Sequence, residues 1–219
     1  MKAIIYTAVL AAALCSGCLH AQKAGEWQFG INFAPAFSWA PASGNVSSDG
    51  MRFAYELSVH FDKYFKERYA FFAGISYMNI GGGIRNKINE PIALKSDIPP
   101  LERMKTAKYY IQYLTIPVGL KLKTVRHGTL TYYFQGALLP GVRIGGSCTP
   151  EDGEKESFSK DLNLMTCAVQ LSLGCLYPAS DHSFIKLGLI FDRFFTDALN
   201  SSNMKSLPTS LGLQIGFVF

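Results

Sequence analysis

The sequence predicts an all-β chain, an eight-stranded antiparallel up-and-down barrel that spans a membrane with its strands. Three observations carry that expectation. Composition is the first, because 48% of the 219 residues are hydrophobic and only 17% charged, against roughly a quarter charged in an ordinary soluble domain. Period-two alternation of apolar with small or polar residues is the second. The third is a strict alternation of short and long connections between the alternating stretches. Beyond the N-terminus no run of about 18 apolar residues occurs, so the hydrophobicity is not packaged as a transmembrane helix. The chain is too apolar and too weakly charged for disorder, and its five cysteines are too few for a disulfide scaffold.

Residues 1–21 read as an export signal, with Lys2 as the charged start, Ala3 to Leu14 as the apolar stretch, and Leu19-His20-Ala21 as the cleavage site before Gln22. A competing reading makes Cys18 a lipidated N-terminus, because Cys15-Ser16-Gly17-Cys18 resembles a lipobox with Cys where Leu usually stands. Residues 22–219 form the barrel domain. They carry 20 basic and 16 acidic residues, a net charge of +4 that does not argue for nucleic-acid binding. Cys148, Cys167 and Cys175 remain. Cys167 and Cys175 lie eight residues apart on one expected strand, too far for a disulfide, and read as small apolar surface residues.

Eight stretches alternate. The first sets Trp27, Phe29, Ile31 and Phe33 against Gln28, Gly30, Asn32 and Ala34; the second, Met51, Phe53, Tyr55, Leu57 and Val59 against Arg52, Ala54, Glu56, Ser58 and His60. In the third, Tyr69, Phe71, Ala73, Ile75 and Tyr77 alternate with Ala70, Phe72, Gly74, Ser76 and Met78. The fourth opposes Leu114, Ile116, Val118, Leu120 and Leu122 to Tyr113, Thr115, Pro117, Gly119 and Lys121. The fifth runs from Leu130 to Leu139, the sixth from Thr166 to Cys175, the seventh from Phe184 to Asp192 and the last from Ser210 to Phe219, all with the same division.

Alternation alone does not say which face points inward. The second face is rich in Gly, Ala, Ser, Thr and Gln, with Arg52, Glu56, Lys121, Lys186 and Asp192 as its main charges. A solvated outer face carries many more Lys and Glu, whereas small and amide side chains suit the narrow lumen of an eight-stranded barrel. Within these stretches the apolar face holds no charge and no amide. Hydrocarbon imposes such purity, because a charge near the bilayer midplane costs about 2–4 kcal/mol. Short connections fall around Asp62 to Glu67, Thr124 to Gly128 and Pro178 to His182, and long ones around Ser38 to Gly50, Gly81 to Ala107, Gly141 to Lys160 and Thr196 to Pro208. Both termini then lie on the short-turn side, as in outer-membrane barrels with periplasmic turns and extracellular loops. Trp27, Tyr55, Tyr69, Tyr77, Tyr110 and Phe219 supply the interfacial aromatics.

Two motifs carry a family resemblance. The terminal strand Leu211-Gly212-Leu213-Gln214-Ile215-Gly216-Phe217-Val218-Phe219 looks like the signal by which outer-membrane barrels are recognised for assembly. Tyr113-Leu114-Thr115-Ile116-Pro117-Val118-Gly119-Leu120-Lys121 resembles the Tyr-Leu-x-Ile-Pro strand of the PorT-like outer-membrane β-barrel proteins of Bacteroidetes. The resemblance implies an integral protein of a Gram-negative outer membrane. About activity it implies little, with the type IX secretion system as one association within that family; a structural or interaction role, exercised through the long loops or as an accessory of a larger envelope complex, is expected instead from the uncharged outward face and the alternating loop lengths. Pro117 cannot donate to a ladder, so a bulge or unpaired position is expected there.

The search for chemistry yields no catalytic, cofactor-binding or metal-ligating residues. His127 and His182 fall in short turns and His60 near the same end of its strand. An enzyme acting on outer-leaflet lipid needs its base at the opposite end. No His, Cys and carboxylate cluster shows ligand spacing. Gly81-Gly82-Gly83 lacks the Gly-Lys-Ser/Thr ending of a phosphate loop and reads as the place where the chain leaves the barrel rim. Arg52, Glu56, Lys121 and Lys186 are expected to neutralise one another in a filled lumen. The 81–107 loop holds five basic and three acidic residues, and 151–156 holds four carboxylates without calcium-loop spacing. Partners expected are outer-membrane lipids, the barrel assembly machinery and other envelope proteins. A lipid-modifying barrel enzyme and a soluble exported barrel holding a small apolar ligand are the rival readings.

Overall fold

In the computed structural model the described residues are 25–87, 105–150, 156–157, 162–180, 183–198 and 204–219. The export segment 1–21, His182, most of the 81–107 loop and residues 151–155 of the acidic loop lie outside them.

The strands are β1 (Trp27–Trp39), β2 (Arg52–Lys66), β3 (Tyr69–Asn86), β4 in two segments (Thr106–Thr115 and Val118–Lys123), β5 (Thr131–Pro150), β6 (Met165–Pro178), β7 (Phe184–Phe194) and β8 (Thr209–Val218). Each pairs antiparallel with its neighbours in sequence, and β8 pairs with β1, which closes the barrel. This is the expected architecture, and the two faces of each alternating stretch point as read. The register aligns Phe33, Leu57, Tyr77, Leu114, Val142 and Met165 in one outward row across six strands. Along β8 the outward Leu211, Leu213, Ile215 and Phe217 are about half exposed, while inward Gln214 and Val218 are buried.

The strand ends differ from expectation. A bilayer requires about 9–11 tilted residues, yet β3 has 18 and β5 has 20. Both continue past the apolar belt on the long-loop side, where β3 pairs with β4 through Arg85 and Thr106 and β4 with β5 through Ala107 and Pro150. Residues 81–86 and 106–107 of the first expected long loop, and 141–150 of the next, are therefore strand. Gly81-Gly82-Gly83 does not mark the exit from the rim: it lies within β3, paired with Tyr110, Tyr109 and Lys108. A Cβ at Gly82 would stand 2.5 Å from the Tyr109 hydroxyl, so glycine gives that ring its place. The short turn expected at 62–67 shrinks to 67–68, because β2 runs on to Lys66.

Pro117 is accommodated as expected, by a break. Its carbonyl accepts from the Gly74 N–H at 3.0 Å, on the β3 side. The Pro140 carbonyl accepts from the Ile116 N–H at 2.8 Å, on the β4–β5 seam. Neither proline can return the reciprocal ladder bond.

Candidate functional site

The interior has two storeys. On the short-turn side and through the middle it is polar. Lys121 Nζ donates to Asp62 Oδ2 at 2.5 Å, and both side chains are fully buried. His60 Nδ1 lies 2.9 Å from Asn32 Nδ2, so a neutral ring carries its proton on Nε2, 3.8 Å from Asp62 Oδ1. Lys186 Nζ donates to Gln135 Oε1, which also accepts from Ser172 Oγ at 3.1 Å, and the ammonium stands over the Tyr133 ring. Lys123 Nζ donates to Gln28 Oε1 at 3.0 Å over the Tyr64 ring. Farther in, Gln170 Nε2 joins Glu56 Oε2 at 3.0 Å to Asp192 Oδ1 at 2.9 Å. The remaining oxygens of these carboxylates accept from Ser76 and Ser210. Lys121, Lys123 and Lys186 thus share the lumen with Glu56, Asp62 and Asp192. Burying these charges is offset only by such pairing and hydrogen bonding.

Inward glycines make room for this network. A Cβ on Gly30 would stand 2.3 Å from His60 Cε1, and one on Gly188 2.3 Å from the Tyr133 hydroxyl. Among the described residues the interior holds a cavity of about 10 Å³ lined by Asn32, His60, Phe72, Pro117, Gln135 and Lys186 among others, and another of about 10 Å³ lined by Ala34, Glu56, Met78, Ile80, Asp192 and Ser210 among others, each about one water's worth.

The long-loop storey departs from the expected inner face of small and amide side chains. Met78, Ile80, Ile84, Tyr109, Ile111, Tyr113, Leu139 and Phe194 pack there into a buried apolar cluster, capped by Ala40, Val46, Leu162 and Ala198 from the connections. Short strands tie the cap down: Ala42–Gly44 pairs with Met204–Ser206, and Val46–Ser48 with β3. The Tyr109 hydroxyl meets Ser206 Oγ at 2.6 Å, and the Ser206 N–H donates to Asp197 Oδ1 at 2.7 Å. A smaller cluster of Tyr133, Leu176 and Val218, with Phe184 against it, closes toward the short turns.

Of the expected lumen charges, Glu56, Lys121 and Lys186 enter this interior and Arg52 does not. Arg52 sits at the rim, where its guanidinium pairs with Asp49 at 3.2 Å; Asp49 also takes Arg85 at 2.8 Å. Sequence reading missed Asp62 and Lys123. The signal was present, since Phe61 and Phe65 continue the outward alternation of β2 with Asp62 and Tyr64 on the inner face. His60 is a lumen residue, and His127 bridges to Leu130 in the β4–β5 turn. Cys167 and Cys175 are half-buried free thiols of β6, and Cys148 is a buried residue of β5. Glu156, of the acidic loop, belongs to a two-residue strand beside Cys148.

The family model for the outer membrane protein beta-barrel domain matches residues 20–217. No curated protein matches the chain. Among solved structures, the outer membrane protein OprG from Pseudomonas aeruginosa is 12% identical with a TM-score of 0.45, over 91% of this chain and 99% of that one. The outer membrane protease OmpT from Escherichia coli is 8% identical with a TM-score of 0.46, over 89% and 93%. The attachment invasion locus protein Ail of Yersinia pestis, in complex with the heparin analogue sucrose octasulfate, is 11% identical with a TM-score of 0.40, over 87% and 99%.

Proposed function

The chain belongs to the outer membrane protein β-barrel domain family and is an integral protein of the outer membrane, and from that premise we propose that it is a closed barrel acting through its long-loop head. Its role is structural or interactive, as an accessory of an envelope or protein-secretion complex, after removal of residues 1–21 on export. The resemblance of Tyr113-Leu114-Thr115-Ile116-Pro117 to the PorT-like proteins of Bacteroidetes supports this finer assignment.

One observation carries the reading: the interior is filled from both sides, by an apolar cluster beneath the head and by a hydrogen-bonded polar network below it. Separate cavities with room for about one water each offer no conduit for solutes. Function then falls to surfaces, and the head is the part that the connections build for display. The placement of His60 in the lumen and His127 at the short-turn end supports a non-enzymatic role.

The test compares released and surface proteins after gene deletion, with complementation by two variants. One shortens 88–104 to a tight turn, and the other replaces the lumen pair by Asp62→Leu with Lys121→Met. The head variant is expected to fail to complement and the lumen variant to succeed. The opposite pattern would place the function in the interior and overturn the proposal.

A further inference from the structure

The added length of β2 brings charge to the lipid side at the short-turn edge. Trp27, Lys63 and Phe71 form one outward row across β1, β2 and β3. Lys63 Nζ stands 5.1 Å from the centre of the Trp27 ring. The next row toward the midplane is Phe29, Phe61 and Ala73, with the first two rings 5.2 Å apart. Toward the rim, Phe65 stacks 4.8 Å from Phe71 and 6.1 Å from Tyr69. A bulge between Tyr64 and Lys66 sets Lys66 opposite Tyr69, so Lys66 shares that residue's outward side.

Arg68 follows in the exposed turn, and its carbonyl accepts from the Lys123 N–H at 2.8 Å, which fixes the turn against β4. Among the described residues at this edge the acids are Glu67 and Glu26, since Asp62 points into the lumen and is taken by Lys121. Two outward lysines and the exposed arginine of the turn that follows them therefore gather at one sector of the barrel edge. On β5, β6 and β8 the outward residues near the same edge are Tyr132, Tyr177 and Phe217, all uncharged.

A lysine held within an aromatic collar reaches for the headgroup layer while its stem lies on apolar surface. We propose that Lys63, Lys66 and Arg68 form a binding site for an anionic phospholipid of the leaflet at the short-turn end. Its phosphate is held by the cations, and its acyl chains lie over Phe61, Phe71 and the low ground at Ala73. The site rests on the membrane-spanning reading of the barrel, and goes beyond it by selecting one lipid charge class at one sector.

Trp27 and Trp39 are the two tryptophans of the chain, which gives a direct test. The mature protein with Trp39→Phe, and separately with Trp27→Phe, is folded into phosphatidylcholine vesicles containing phosphatidylglycerol or phosphatidylcholine brominated on the acyl chains. Quenching reports the lipid in contact with the remaining indole. Trp27 is expected to select brominated phosphatidylglycerol by about three- to fivefold, on the order of one lysine's attraction to an anionic surface, and Trp39, whose outward row holds one cation, Arg193 across Thr209, to select it more weakly. Adding Lys63→Gln, Lys66→Gln and Arg68→Gln to the Trp27 reporter is expected to bring the ratio to unity. A ratio near one at Trp27, an equal preference at Trp39, or a preference that survives all three substitutions would overturn the site. Absence of quenching at either indole by any brominated lipid would instead contradict the spanning reading. The two single-tryptophan proteins keep all three cations, so their comparison stands even if the triple variant fails to fold.

Discussion

Asp62 and Lys121 show what a buried charge demands of its neighbours. Neither has access to water, and each is tolerable only because the other is there. Replacing Lys121 by Met alone leaves the Asp62 carboxylate buried without its cation, and is expected to lower folding stability by about 3–5 kcal/mol. Replacing both, Lys121→Met with Asp62→Leu, is expected to recover most of that loss, because apolar side chains of similar volume remove the desolvation cost. Urea unfolding of the barrel in lipid or detergent measures both. Half of this pair was legible in the sequence: Lys121 stands plainly on the small-residue face of its stretch. Asp62 was masked, although Phe61 and Phe65 carry the alternation past it, because Asp62-Lys63-Tyr64-Phe65-Lys66-Glu67-Arg68 is as rich in charge as a turn. Arg52 has the inward parity of β2, yet lies at the rim beside Asp49, an attraction that parity alone does not reveal.

At the scale of strands, hydrocarbon writes a legible pattern and water does not. The eight alternating stretches were readable because each lies where one face must be apolar and the other must fit a narrow lumen. Past the belt that demand ceases, so the outer ends of β3, β4 and β5 carry Gly81-Gly82-Gly83, Lys108 and Gly145-Gly146 and resemble loop. The inner storey there was hidden for a related reason: Tyr109, Tyr110 and Ile111 form a continuous apolar run in which no period shows. Within the belt, β4 is the weak element. Pro117 leaves the Gly74 carbonyl without the N–H that the ladder would return. Pro117→Ala is expected to add that bond and raise stability by about 0.5–1.5 kcal/mol, seen as a higher urea midpoint together with slower amide exchange at Gly74. No gain would mean that the break is set by β4's path rather than by the missing donor.

For the whole molecule, closure decides what the protein does. The strands leave no edge, the outward residues meet lipid, and the two interior storeys fill the space between them with different chemistry. The polar storey is held by hydrogen bonds and the Lys121–Asp62 pair, and the apolar storey continues into the head through Ala40, Val46, Leu162 and Ala198. On the function proposed above, an eight-stranded barrel filled in this way anchors a displayed head and is expected not to conduct. The most direct measurement is single-molecule conductance of the mature, folded protein in planar bilayers, with insertion verified independently. A filled lumen gives no unitary steps above the bilayer background; discrete ohmic steps that disappear when the lumen residues Glu56, Lys121 and Lys186 are replaced by bulky apolar side chains would contradict it.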